Sequence, residues 1–380
     1  MAIKKPKKTI INKVENSTKK TAETTPKVDP KISQLLNTMN KKFGDRAIIT
    51  GSQLAKENVY PRIPTGDLGL DISIGGGIPI GKYTQFAGEP SVTKTTQALH
   101  IIKNAQKLGL VCALLDVEGT TTRDYLEQIG VDVDNLIYTA PEGLEEATQM
   151  MIDFQKSKVV NFCVLDSICA TTTVKEMESD MTETTQMGIP PKKWGEFFRK
   201  YTAHNNGLSR QQCTPFTVLA INQLRDKIGV MYGETEFTPG GKAKDFFNVL
   251  DIRLRRGDYI VEGSNKDKKI VGQVVKYKIN KGKIQGATRG TSGEFDFYFK
   301  ENSLGIPKGH NDEVKTVIAL AVKYNLIQKG GAWFYMNKDT KDEIKFQGFS
   351  NLVDYLRSNH EVIKELEDTI RKISADIKVI

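Results

Sequence analysis

The 380 residues are 38% hydrophobic and 27% charged, with a formal net charge of +9, enough apolar material for one large core and smaller satellites in two or three domains. No run approaches the roughly 18 consecutive apolar residues of a membrane span, and the opening MAIKKPKK lacks the apolar stretch of a secretory signal, so a cytoplasmic chain with no membrane partner is expected. The excess positive charge favours a polyanionic partner, while Cys112, Cys163, Cys169 and Cys213 stand singly, without disulfide or zinc spacing, and read as reduced core residues.

In chain order, residues 1–30 are rich in Lys, Thr and Pro and cannot bury enough apolar surface to offset ordering, so a disordered basic arm is expected. Residues 31–61 hold ISQLLNTMNKKF, Ile32 to Phe43, whose apolar residues recur at helical spacing. This predicts an amphipathic helix and linker separate from the main core, of the kind that docks on a neighbour. Across residues 62–305, apolar β-rich runs alternate with helical patterns, which predicts an α/β core with a mostly parallel sheet covered on both faces. Strands are placed at Tyr83 to Ala87, Val111 to Val117, Val159 to Asp166, Phe216 to Asn222, Val249 to Arg255, Gln273 to Ile279 and Glu294 to Phe299. Residues 306–380 read as a small α/β unit: a helix in DEVKTVIALAVKYNLI, a hairpin-like GGAWFYMN and a final helix from about Phe349 to Lys372.

Gly88, Glu89, Pro90, Ser91, Val92, Thr93, Lys94 and Thr95, followed by Thr96, spell GEPSVTKTT between a predicted strand and a helix with apolar Ala98, Ile101, Ile102 and Ala105. Such a loop cradles polyphosphate on backbone N–H groups, its Lys bridges the outer phosphates and its Thr hydroxyl holds magnesium. An ordinary Gly/Pro turn is the alternative, because the pattern asks for Gly where Thr93 stands. Position 93 is expected to begin the helix with negative φ, where a Thr costs only a few tenths of a kcal/mol. Three further apolar strands end in polar residues: Asp116 and Glu118, Asp166 and Ser167, Asn222 and Gln223. In an open parallel sheet those ends converge on the ligand crevice, so Asp166 is assigned to magnesium and Glu118 to orienting and deprotonating water. Any one strand-end Asp could instead be only a helix N-cap.

The order GEPSVTKTT, DVEG, VLDS, INQLRDKIGVMYGETEFTPGG and VVKYKI resembles the RecA-type DNA recombinases from about Leu35 to Lys372. LIQKGGAWFYMN is similar to that family's small C-terminal domain, and Ile32 to Phe43 to part of its N-terminal oligomerisation element. The resemblance implies an ATP- and magnesium-dependent, DNA-stimulated ATPase that forms a helical homo-oligomeric filament on single-stranded DNA and exchanges strands with a homologous duplex. It gives Lys94 and Thr95 the phosphates and magnesium, Glu118 the role of base, Gln223 that of γ-phosphate sensor, and Tyr125 the adenine. Lys276 and Lys278 would reach the neighbouring subunit's nucleotide; two apart on a strand, they share a face. Phe246 would anchor the subunit interface. DNA would lie against two loops, about Glu178 to Trp194 and about Arg225 to Gly241. There Arg225, Lys227 and amides near Gly240 and Gly241 would meet phosphates, while Met187, Val230 and Met231 would wedge between bases and Gly188 would touch the strand. An apolar hairpin turn is the alternative for Val230 to Tyr232. The chain departs from the family at Thr93, at Thr122 and Asp245, where Asp and Lys are usual, and in lacking an acidic tail. Rival readings are a hexameric RecA-fold helicase and a DNA-coating protein with a decayed phosphate loop.

Overall fold

The apolar runs of the central segment assemble into one nine-stranded sheet in the computed structural model, which describes residues 28–57, 62–180, 189–227, 229, 235–264 and 267–377. Its order is His310–Asn311, Ser292–Tyr298, Lys269–Gly282, Leu250–Glu262, Tyr83–Gly88, Thr217–Gln223, Phe162–Asp166, Cys112–Asp116 and Leu136–Thr139. The six strands from Leu250–Glu262 to Leu136–Thr139 are parallel, and the remaining three continue the sheet antiparallel.

Side chains of the parallel strands alternate between two apolar layers, as the period of two requires. Phe162 and Val164 face a core with Phe86, Leu99, Ile102 and Ile221, beneath the helix Lys94–Lys107. Cys163 and Leu165 face the opposite core with Met151, Trp194, Phe198 and Val218, beneath the helices Leu144–Ser157 and Ile189–Arg210. Burial on both faces is why these strands read as continuous apolar runs. Cys112 and Cys163 are buried, free thiols whose pKa is pushed up, to about 12 for Cys112, by burial.

The amphipathic pattern near the N-terminus forms the helix Pro30–Phe43. Asp29 accepts from the Lys31 N–H, Pro30 begins the helix, and Lys41 and Lys42 fill the last turn, where the helix dipole favours cations. Its Ile32, Leu35 and Phe43 remain exposed. The predicted basic arm lies outside the described residues save Val28 to Pro30.

Four elements depart from expectation. The edge strand Leu136–Thr139 was not anticipated, because its Ile137 and Tyr138 are exposed and the run is only four residues long. The hairpin of Leu250–Glu262 and Lys269–Gly282 extends past the predicted ends at Arg255 and Gln273, through a mixture of exposed, half-buried and buried residues with no apolar alternation, and carries three register shifts. The aromatic run Trp333–Met336 sits between Ile327–Gly330 and Ile344–Gln347 in a three-stranded sheet. The last predicted helix is two, Phe349–Arg357 and His360–Ile377. This C-terminal unit packs Val317, Ile318, Phe334, Leu352 and Ile370 with Leu68 of the helix Leu68–Ser73. Arg371 reinforces that seam at 3.1 Å from the buried Asp71 carboxylate.

Candidate active site

Sheet register alone brings the proposed chemistry together. Gly88 lies opposite Gln223, and Asp116 opposite Asp166, so the polar C-terminal ends of four parallel strands form one ledge. Lys94 and Thr95 stand beside it at the start of their helix. Thr95 Oγ1 donates to Asp166 Oδ2 at 2.6 Å. Burial raises the Asp166 pKa to about 6 from its ordinary 3.8; neighbouring Glu118 and Asp116 push the same way, against the Thr95 hydrogen bond and Lys94. Glu118 is exposed at the cleft, where solvent can reach it, and accepts from Ser167 Oγ at 2.7 Å. Asp116 is instead a shaping residue: its carboxylate accepts from the Gly119 and Thr121 N–H groups and the Tyr138 hydroxyl, which fixes the turn carrying Glu118.

The phosphate loop takes two residues through left-handed backbone, Ser91 at φ 60° and Thr93 at φ 66°. This corrects the expectation for Thr93: it is the N-cap rather than the first helical residue, and glycine is favoured there because a β-branched side chain crowds a positive φ. Thr93 Oγ1 is buried without a hydrogen-bond partner, as a donor awaiting an acceptor would be. Gly88 is required for a different reason: a Cβ there would stand 2.5 Å from the Leu254 carbonyl of the adjacent strand. Lys94 Nζ donates to the Gly88 and Glu89 carbonyls at 3.1 and 2.5 Å, and burial lowers its pKa. The crown of the loop is braced across the sheet, Arg256 donating to the Pro90 carbonyl at 3.0 Å and Gln273 to that of Ser91 at 3.5 Å. Neither was anticipated, because their reach depends on the pairing of Leu254 with Gly88 and carries no spacing signal.

A cleft of about 640 Å³ opens over this ledge, lined by the loop from Pro90 to Thr96 and by Glu118, Tyr125, Asp166 and Gln223. Tyr125 shares a 2.5 Å hydrogen bond with Thr96, and Thr122 caps the Tyr125 helix, its side chain accepting from the Tyr125 N–H. Lys308 and Gly309, from the segment leading into the C-terminal unit, complete the wall and were not anticipated. Lys276 and Lys278 lie elsewhere. Exposed on one face of their strand, they line a second cleft of about 840 Å³ with Arg253, Arg255 and Arg289. Phe246 is 69% exposed.

Of the two segments expected to contact DNA, the first ends earlier than expected and the second keeps its expected bounds. Ile189–Arg210 is already helical where the first loop was extended to Trp194, because Trp194 is buried in the core against Phe197 and Phe198. The second loop rises through a two-stranded ribbon, Arg225–Asp226 paired with Glu236–Phe237, and ends at Gly240 and Gly241, at φ 106° and 76°, where the helix Gly241–Phe247 begins. Arg225 is exposed and lines a third cleft of about 540 Å³ with Cys169, Trp194 and Gly240, between the roots of both loops. Met187, Gly188, Val230 and Met231 lie outside the described residues.

The family comparisons cover nearly all of this framework. A family model described as RecA N-terminal domain matches residues 30–303, and one described as RecA C-terminal domain matches residues 315–374. Similar proteins, each called Protein RecA, include that of Ruegeria pomeroyi, 34% identical over 360 residues spanning 93% of this chain and 94% of the relative. That of Methylobacterium radiotolerans is 35% identical over 90% and 88%, and that of Clostridium tetani 32% identical over 90% of both. With both domain models matched in order and the polar ledge assembled by strand register, the chain belongs to the RecA family.

Proposed function

We propose that the chain is an ATP-dependent DNA recombinase, a DNA-dependent ATPase that forms a filament on single-stranded DNA and pairs it with a homologous duplex. The observation that carries this reading is the convergence of Lys94, Thr95, Glu118, Asp166 and Gln223 at the C-terminal ends of the parallel strands, with the second loop, proposed to bind DNA, springing directly from Gln223. In this reading Lys94 moves from the loop carbonyls to the outer phosphates, and Glu118 orients and deprotonates the attacking water. Thr95 and Asp166, a hydroxyl and a carboxylate 2.6 Å apart, are hard oxygen donors suited to magnesium. Bound there, magnesium would neutralise phosphate charge. Tyr125 borders the cleft at a place suited to the nucleobase.

Lys276 and Lys278 line a cleft distinct from their own phosphate loop, an arrangement that supports their completing a neighbour's site. Exposed Phe246 and the uncovered apolar side chains of Pro30–Phe43 supply surface for such a neighbour. Arg225 and Lys227 would address DNA phosphates without reading bases. No helix among the described residues is long and apolar enough to cross a membrane, in keeping with a cytoplasmic role.

The test is DNA-stimulated ATPase activity combined with electron microscopy of the DNA complex. Helical filaments with stimulated hydrolysis are expected. Rings that translocate would favour the helicase reading, and nucleotide-independent coating the decayed-loop reading. Mixing Lys276→Ala/Lys278→Ala protein with Lys94→Ala protein should restore part of the activity each lacks; no restoration would sink the shared site.

A further inference from the structure

We infer that Lys244 is a positioning residue that clamps the far root of the second DNA loop to the strand end bearing Gln223, so that the nucleotide state reaches the loop from both ends. This rests on the reading of that loop as DNA-binding.

A fully buried ammonium is costly unless each of its donors finds an acceptor. Lys244 is fully buried, and its Nζ has three: Gln85 Oε1 at 2.9 Å, Thr238 Oγ1 at 2.6 Å and Asp245 Oδ1 at 2.8 Å. Thr238 belongs to the descending arm of the loop, and Gln85 to the strand that leads into the phosphate loop. Gln85 is itself held in one sense, because its Nε2 donates to Asp251 Oδ1 at 2.9 Å and its Oε1 is thereby turned to Lys244 and to Asn222 Nδ2, 3.0 Å away. Asn222 closes the circuit by donating to the Pro239 carbonyl at 2.9 Å, while its Oδ1 accepts from the Gln223 N–H at 3.0 Å.

Two neighbours of the loop's end, Thr238 and Pro239, are therefore tied through Lys244 and Asn222 to one amide, that of Gln85. The stem of Lys244 also fills the space beneath Gly240, where a Cβ would lie 2.8 Å from its Cδ. Rotation of the Gln223 peptide toward a γ-phosphate would disturb the Asn222 bond and hence Pro239. Lys244 holds Thr238 while this happens, so the disturbance re-aims the loop instead of releasing it.

The experiment uses the full chain, a labelled oligothymidine, and a non-hydrolysable ATP analogue or ADP. Lys244→Met keeps the stem and removes the donors. Its affinity for the ATP analogue and its DNA-free ATPase rate should stay within about twofold of the parent. DNA affinity in the analogue state should fall at least about tenfold, the effect of losing hydrogen bonds from a buried charge, and much less in ADP. Thr238→Val, which removes one partner at a half-buried site, should move the same ratio in the same direction. The double variant should then add less than the sum of the two, and Thr238→Val carries the test if Lys244→Met does not fold. A parental ratio of DNA affinities between the two nucleotide states, an equal loss in both states, or additive effects would each overturn the clamp. Arg225→Ala/Lys227→Ala separates the two failures. If that variant keeps parental DNA affinity, the loop reading is wrong and the clamp goes with it; if it loses affinity while Lys244→Met keeps the parental ratio, the clamp alone is wrong.

Discussion

The phosphate loop and the root of the second loop, proposed to bind DNA, solve a similar local problem with opposite economies. Each enters a helix through a left-handed N-cap lacking a side-chain cap, Thr93 before Lys94–Lys107 and Gly240 before Gly241–Phe247, and each buries a lysine close by. Lys94 bonds only backbone carbonyls of its own loop, contacts that a polyphosphate can replace one for one. Lys244 bonds three side chains from separate segments and is saturated. A buried lysine beside a cleft is thus read by its partners: self-bonded, it is held ready for a ligand; cross-bonded, it holds the fold.

The largest effect is expected at the ledge between them. Glu118→Gln should lower ATP hydrolysis by about 10²- to 10⁴-fold, the usual contribution of a positioned base, while retaining analogue binding and prolonging the DNA-bound filament. A phosphate-release assay checks this; parental turnover would remove Glu118 from the role. Lys94→Ala should cost about 10²- to 10³-fold in the same assay and leave the thermal unfolding profile near that of the parent, because the lysine serves the ligand more than the core.

A pH titration sharpens the contrast next. Asp166 needs its charge to hold a cation, and its pKa is raised to about 6. Magnesium-dependent nucleotide binding should therefore weaken as pH falls through 6, approaching tenfold per unit, as followed by calorimetry. The nucleotide-free chain should show the opposite trend. Between the ordinary 3.8 and about 6 the folded carboxyl keeps a proton the unfolded chain has released, so this contribution to stability is full below that window and is lost as pH rises through it. Binding that is flat from pH 5 to 7 would exclude Asp166 from the cation site.

The smallest expected effect is at the two N-caps themselves. Thr93→Gly removes a strain of about 1 to 3 kcal/mol at positive φ against a backbone entropy cost of about 0.5 to 1 kcal/mol, so thermal stability should rise modestly and analogue affinity should change by less than about tenfold. Gly240→Ala should do the reverse, because a Cβ there meets the Lys244 stem. A stabilised Gly240→Ala protein would contradict the packing described.

Much of this is legible in the sequence alone. The apolar parallel strands, the phosphate loop with Lys94 and Thr95, and the polar ends Asp166 and Gln223 follow from local composition, because a strand buried on both faces must be apolar and its C-terminal end is where polar residues are tolerated. The edge strand Leu136–Thr139, the overhang of the Leu250–Gly282 hairpin and the bracing by Arg256 and Gln273 carried no such mark, since exposed or long-range partners leave no periodicity. Thr93 and Lys244 show the limit most clearly. By itself the sequence determined which residue types occupy the loop and its root, and it places Thr238 and Asp245 near Lys244; φ at position 93 and the acceptor that Gln85 brings to Lys244 from a strand distant in the chain were decided only by tertiary packing. Backbone sign and burial are properties of what surrounds a residue, and those surroundings come from tertiary packing.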